Sequence, residues 1–401
     1  MTDLATPPLS LYLHFPWCVR KCPYCDFNSY TLHGELAEDR YVQALESDIQ
    51  SQAPALAGRE IVSIFMGGGT PSLFAPAAIA RVLAATRAHL SVAADVEITM
   101  EANPGTIERG RFAEYRAAGV NRVSLGAQSF NPQRLETLGR IHSPDETRRA
   151  AEELHTAGIA NFNLDLMYAL PGQDVAEAVL DVEAALALKP THLSHYQLTL
   201  EAGTVFAAQP PPGLPSDDVA AEILAACGER LTAAGFAQYE VSGYAQPGRQ
   251  CRHNLNYWTF GDYLGVGAGA HGKLTFPQLG RIARTTQVRD PRRYLSSVPG
   301  ALTTKDVPAA ELPFEFMLNA LRLVDGFEME TFVGRTGLGW DVVAAEVDSL
   351  VSRKLLSVTG SRVSATLVGL RFLNDLLLSF LTGHRPQTPQ TTGAFGLSTA
   401  H

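Results

Sequence analysis

Six short strand-like segments, each followed by an alanine- and leucine-rich stretch of helical period, dominate the first half of the chain. The segments are Leu11–Phe15, Ile61–Met66, Val96–Glu101, Arg122–Gln128, Phe162–Met167 and His192–Thr199. Helical patterns such as Asp39–Gln52, Pro76–His89 and Asp174–Leu188 lie between them. IVSIFM and FNLDLM are nearly continuous apolar runs, as strands buried on both faces are. Repeated strand–helix units call for parallel strands joined by right-handed crossovers. The expected fold class is therefore α/β: a partial (β/α)6 barrel over residues 1–208, followed by a smaller, mainly helical C-terminal domain.

The proline-rich run QPPPGLPS, Gln209 to Ser216, breaks the alternation. It opens a segment, 209–300, expected to close the barrel with a helix (Asp217–Ala234) and a short strand (Gln238–Ser242). The glycine-rich GDYLGVGAGAHG, Gly261 to Gly272, reads as backbone held close to something. Residues 301–382 return to helical patterns with a small hairpin in LLSVTGSRVSAT. The tail, 383–401, is rich in threonine, glycine, proline and glutamine and is expected to be disordered.

A barrel of this kind places its active site at the C-terminal ends of the strands. The unusual polar residues fall at that end. Cys18, Cys22 and Cys25 follow the first strand in LYLHFPWCVRKCPYCDF, and GGGTP (Gly67 to Pro71) follows the second. Glu101 and Gln128 close the third and fourth strands, and Asp165 lies late in the fifth. The CxxxCxxC spacing is unusual for structural zinc, which pairs two close cysteines with a distant second pair. Iron–sulfur clusters normally take four cysteines, so three close ones suggest a cluster with one open iron. A redox-inert trio or a partial zinc site is the alternative.

With 46% hydrophobic and 18% charged residues among 401, the chain reads as a globular protein with room for a large core. A net charge of −9 argues against bulk nucleic-acid binding. Neither a signal peptide nor a membrane-spanning run is evident. Five cysteines, three of them clustered, do not form a disulfide framework, so a reducing cytoplasm is the expected compartment.

These motifs resemble the radical S-adenosylmethionine (SAM) superfamily. There, three such cysteines hold a 4Fe–4S cluster whose open iron binds SAM, the source of a 5′-deoxyadenosyl radical. The resemblance implies that Gly68, Gly69 and Thr70 contact the methionine end of SAM. It also implies that Glu101 binds its ribose and that Tyr12 touches it. Within the superfamily the chain resembles oxygen-independent coproporphyrinogen III oxidase over roughly its first 380 residues. Gln128, Arg140 and Asp165 match positions that bind a second SAM molecule there. Two departures separate it from the oxidase: Phe27 stands where a further cysteine is expected, and only eleven residues precede Tyr12.

HNLNYW, His253 to Trp258, followed by the glycine-rich stretch, resembles the HNxxYW mark of the HemW-type heme chaperones. Histidine is a common axial ligand to heme iron. The resemblance implies heme near the barrel rim, ligated by His253 ahead of His271. Tyr257 and Trp258 would lie against the porphyrin, and Arg249, Arg252, Arg281 or Arg284 would meet its propionates. By themselves the residues also fit a packed core histidine beside two core aromatics. Cys227 and Cys251 read as bystanders. The implied cofactors are the 4Fe–4S cluster, SAM and heme. The implied partners are apo-hemoprotein acceptors and an electron donor, with peripheral membrane association and a homodimer compatible. The alternative reading is coproporphyrinogen III oxidation; a third is radical chemistry, such as methyl transfer, on another substrate.

Overall fold

The computed structural model describes residues 4–381 except 57, 106–109 and 301, so the predicted tail lies outside the described residues. Six parallel strands form its centre: β1 (Leu9–Phe15), β4 (Glu60–Gly68), β5 (Ser91–Ala102), β6 (Arg122–Gln128), β7 (Phe162–Tyr168) and β8 (His192–Gln197). They lie side by side in chain order, as a partial (β/α)6 barrel requires. The intervening β2 (Trp17–Cys18) and β3 (Tyr30–Thr31) pair only with each other.

Period-two alternation decides what the strands bury. Leu9, Leu11, Leu13 and Phe15 of β1 pack outward with Ile64 and Met66 of β4. Against them lie Leu45 and Ile49 of α1 (Glu38–Gln52) and Ile79 and Leu83 of α2 (Pro76–His89). The alternate residues, Ser10, Tyr12 and His14 of β1, share the other face with Ser63, Glu97 and Asp165 of neighbouring strands. That inner face is polar, and its groups are joined by hydrogen bonds such as Ser10 Oγ to Ser63 Oγ at 2.7 Å. The crossovers continue through α3 (Phe112–Ala118), α4 (Pro132–Thr137), α5 (Pro144–Thr156) and α6 (Val175–Ala187). Helix α5 starts on a capping box in which Ser143 and Glu146 satisfy each other's backbone N–H groups.

The region after β8 contributes to both flanks of the sheet. After α7 (Val205–Ala208) and α8 (Asp217–Ala233), β9 (Ala237–Gln238) and β10 (Gly243–Ala245) extend the sheet beyond β8. The expected strand Gln238–Ser242 is therefore a tight hairpin, with Tyr239–Ser242 as its turn. Helix α9 (Arg252–Trp258) leads into β11 (Asp262–Val266), which pairs parallel to β1. From there β12 (His271–Phe276), β13 (Arg281–Thr286) and β14 (Thr303–Asp306) extend that flank antiparallel.

The last part of the chain carries its own core of Phe316, Phe327, Phe332, Val347 and Leu376, into which Phe260 and Ile282 also pack. A three-stranded sheet covers it, formed by β15 (Phe327–Glu328), β16 (Leu356–Thr359) and β17 (Arg362–Ala365), and includes the predicted hairpin. Among the described residues, no helix is long and apolar enough to cross a membrane.

Candidate cluster and cofactor site

The cysteines sit on a loop that is closed at its base. Trp17 and Cys18 pair with Tyr30 and Thr31, and Leu32 N–H donates to Cys18 O at 2.8 Å. The Lys21 ammonium donates to the carbonyls of Phe27 (2.9 Å) and Ser29 (3.0 Å), drawing the loop's far side inward. Pro23 O accepts from Phe206 N–H at 3.0 Å, and Tyr24 packs on the Phe206 ring. All three cysteines are free and half-buried. Burial raises the Cys18 thiol to about 11, with Thr70 donating against that rise and Cys25 and Cys22 adding to it. Burial raises the Cys25 thiol too, and a bound cation would oppose that rise.

The donor spacing fits a cluster better than a single ion. Among the described residues, one trio of His, Cys, Asp or Glu ligand atoms lies within 4.8 Å of one another, and it is Glu97, Cys251 and His253. The three loop cysteines do not converge that closely. A polynuclear cluster needs such separation, whereas a lone zinc ion requires all its ligands about 2.3 Å or less from one centre.

The glycine loop is shaped by its neighbours. A Cβ on Gly68 would stand 2.2 Å from the His14 ring, and one on Gly69 would stand 2.6 Å from the carbonyls of Phe15 and Trp17. Gly69 N–H donates to Phe15 O (2.7 Å), Thr70 N–H to Trp17 O (2.8 Å), and Gly68 N–H to Glu101 Oε2 (3.1 Å). Carbonyls, rather than N–H groups, are what this loop can offer a ligand. Glu101 is raised to about 8 by burial and then by Asp165, against the Gly68 hydrogen bond. It is therefore largely neutral at pH 7.

Arg140 links the cysteine loop to the ends of β5 and β6. Its guanidinium donates to Gly126 O at 2.9 Å, to Asn103 Oδ1, and to Cys22 Sγ at 3.7 Å. Asn103 in turn donates to Thr70 Oγ1 at 3.0 Å. Gln128 adopts φ +64°, in the left-handed region, and its buried Oε1 has no hydrogen-bond partner. A strained residue with an orphaned acceptor at a strand end is the kind of group a ligand completes. Asp165 accepts from Ser124 Oγ (3.1 Å) and Asn163 Nδ2 (2.6 Å); burial raises its pKa against these bonds and one from Tyr196.

Three residues of this region carry no motif signal. His14 accepts from Tyr12 OH at 2.8 Å through Nδ1, and its Nε2–H donates to Asn28 O at 2.9 Å. Burial lowers His14 to about 4, so its ring is neutral. Asn28 donates to Ala268 O and Arg289 O, both at 3.0 Å, tying the cysteine loop to the segment after β11. A Cβ on Gly269 would strike Asn28 at 2.1 Å, so what the glycine-rich stretch is held close to here is the cysteine loop. Asn103 is the third; its place two residues after Glu101 was the available clue.

His253 lies at the other end of the barrel. Its helix neighbour Asn256 donates to Ser10 Oγ (2.8 Å) near the start of β1, whereas the cysteines leave that strand's far end. His253 is 5% exposed, its ring 4.0 Å from that of Phe65 and its Nδ1 2.8 Å from Cys251 Sγ. Glu97 accepts the N–H groups of Arg252 (3.0 Å) and His253 (3.3 Å). Burial alone would raise Glu97, but the His253 hydrogen bond and Arg122 bring it down to about 2. Burial lowers His253 itself.

Tyr257 meets Tyr263 edge-on at 4.7 Å, and Trp258 lies under Arg322 at 4.3 Å. Within the motif His253, Asn256 and Trp258 are thus buried, and Asn254, Leu255 and Tyr257 are half-buried. Arg252, Arg281 and Arg284 are paired with Asp95, Asp306 and Glu315. His271 begins β12, and its Nδ1 shares a hydrogen bond with Thr286 Oγ1 at 3.3 Å.

Residues 12–185 match the radical SAM superfamily model, and 307–372 match the HemN C-terminal domain. The heme chaperone HemW of Escherichia coli (strain K12) is 50% identical over 380 residues, 94% of this chain and 98% of that one. HemW of Haemophilus influenzae is 45% identical over the same shares. Among solved structures, coproporphyrinogen III oxidase (HemN) from Escherichia coli superposes with a TM-score of 0.79 at 24% identity, covering 94% of this chain and 91% of that one. That last likeness shows a common fold. The near full-length sequence relatives show more: this chain belongs to the HemW family of the radical SAM superfamily.

Proposed function

We propose that this chain takes up heme and delivers it to acceptor hemoproteins, on a scaffold that holds a 4Fe–4S cluster and SAM. The observation that carries the reading is the 50% identity with a heme chaperone along 94% of the chain. Cys18, Cys22 and Cys25 would hold the cluster, with Arg140 beside Cys22 offsetting part of the thiolate charge. When bound, the cluster supplies an open iron for the amino acid end of SAM and an electron for its carbon–sulfur bond.

The carbonyls of the Gly68–Thr70 loop would receive the SAM ammonium. Glu101 would bind the ribose hydroxyls, its neutral carboxyl both donating and accepting. Tyr12 lies beneath this site, its hydroxyl fixed on His14. Gln128, Arg140 and Asp165 would line the space for a second SAM. Cluster loading would control oligomer state and heme transfer, with reduction by an external electron donor.

The test uses anaerobically purified full-length chain. Iron and sulfide should bind together, SAM should perturb the cluster's spectrum, and added heme should give a Soret band. Mixing the heme-loaded chain with an apo-hemoprotein should move that band to the acceptor. Failure to load heme, or conversion of coproporphyrinogen III to protoporphyrinogen IX at a biosynthetic rate, would overturn the proposal.

A further inference from the structure

Two of the three loop cysteines receive hydrogen bonds from outside their own loop, and both routes pass through one side chain. Cys25 is served locally, its Sγ 3.6 Å from Ser29 Oγ. Cys22 meets Tyr24 of the loop, and its Sγ also accepts from Arg140 Nη1 at 3.7 Å. Cys18 is hydrogen-bonded first by the Thr70 side chain and then by Ser29. Thr70 is held at that point by its own N–H, which donates to Trp17 O at 2.8 Å. Asn103, just past the end of β5, joins the two outside partners. Its Oδ1 accepts from Arg140 Nη2, and its Nδ2 donates to Thr70 Oγ1 at 3.0 Å.

The Asn103 amide works in one orientation. Arginine donates and never accepts, so Arg140 must face Oδ1. The amide nitrogen is then left for Thr70, whose oxygen accepts that bond while its own O–H stays available to Cys18. Turned round, the amide would set donor against donor at Arg140. The guanidinium is further held by Gly126 O, which accepts from Nη2 at 2.9 Å, so both Nη atoms are committed. Thr70 is buried, out of reach of water that could replace these bonds. The Asn103 backbone carbonyl separately accepts Gly105 N–H at 2.8 Å, a turn that makes no use of the amide.

We propose that Asn103 is a positioning residue for the cluster, aiming Arg140 at Cys22 and the Thr70 hydroxyl at Cys18. The inference rests on the reading that these cysteines hold a 4Fe–4S cluster. Hydrogen bonds to the sulfurs are among the factors that set a cluster's reduction potential. They favour the reduced form because it carries more negative charge. One amide at the end of β5 thus biases two of the three thiolates at once. Among the described residues Asn103 makes no hydrogen bond to a cysteine itself and acts through its two neighbours.

Redox titration of the anaerobically reconstituted full-length chain, followed by electron paramagnetic resonance, tests this. Asn103→Leu keeps the volume and loses both bonds, and Asn103→Ser keeps a polar group too short to span both partners. Each should retain iron and sulfide. The reduced fraction at a given potential should fall about tenfold, the scale of a lost hydrogen bond to a charged group, or about 59 mV for one electron. Thr70→Val should give part of that shift, and combining it with Asn103→Leu should add less than its full effect, since both lie on one route. A wild-type potential in both Asn103 variants, shifts that add fully, or loss of iron and sulfide with no shift in the cluster that remains would overturn the positioning role and leave the chaperone reading intact. A wild-type chain that takes up no iron and sulfide would overturn the cluster reading itself.

Discussion

Replacing Gly68 with alanine tests whether the cysteine loop depends on what lies beneath the glycine loop. Gly68 has φ +105°, where an L-residue costs about 1–2 kcal/mol. The new Cβ would also fall 2.2 Å from Cε1 and 2.4 Å from Nδ1 of His14, well inside contact distance. His14 is 2% exposed and bonded to Tyr12 and Asn28, so it can yield only by giving up those bonds. Each lost bond costs about 0.5–1.5 kcal/mol. The sum is roughly 2–5 kcal/mol, a large part of the stability of a typical domain. Gly360→Ala is the control, since Gly360 has φ +61° and nothing within 4 Å of the added carbon; it should cost only about 1 kcal/mol. Denaturant unfolding gives the difference, and iron per chain after reconstitution reports the loop. If Gly68→Ala unfolds no more easily than Gly360→Ala and binds iron fully, the coupling through His14 is wrong.

Other outcomes follow from the same contacts. Asp262→Asn should destabilise by about 3–5 kcal/mol in thermal or urea unfolding, because it leaves Lys273, 1% exposed and 2.7 Å away, without its counter-charge. Glu101 binds its proton more tightly folded than unfolded, so without SAM the chain should lose stability as pH rises from about 4.5 to about 8. Glu101→Gln should flatten that slope, and an unchanged profile would refute the assignment. Serine at Cys18, Cys22 or Cys25 should abolish cluster absorbance, whereas serine at Cys227 or Cys251 should preserve it; iron and sulfide analysis decides.

Much of the fold was legible because apolar alternation is a strong signal where strands are long and buried. Five of the six central strands carry that signal, and β8, HLSHYQ, does not. The flanking strands also lack it: β9 and β10 have two and three residues, and β11 is interrupted by Gly265. That glycine belongs to the stretch whose sequence reads as backbone held close to something. Its crowding comes from its own hairpin partner, since a Cβ there would lie 2.0 Å from His271 O.

In the site, the strand-end residues could be located because barrel geometry gathers them. His14, Asn28 and Asn103 could not, because the hydrogen bonds through which each acts carry no sequence motif. HNLNYW shows the limit from the other side. Its histidine and aromatics suit a porphyrin and also suit a core, and burial alone satisfies both descriptions.

Asn28 is fastened by the carbonyls of Ala268 and Arg289, 240 and 261 residues further along the chain. At roughly 5–20 residues per second, a ribosome makes that clasp tens of seconds after the three thiols emerge. A nascent chain therefore exposes its sulfur ligands well before it can enclose them. Metal delivery during synthesis would meet an open, oxidisable loop, and a stop codon anywhere before residue 268 would leave it with neither carbonyl.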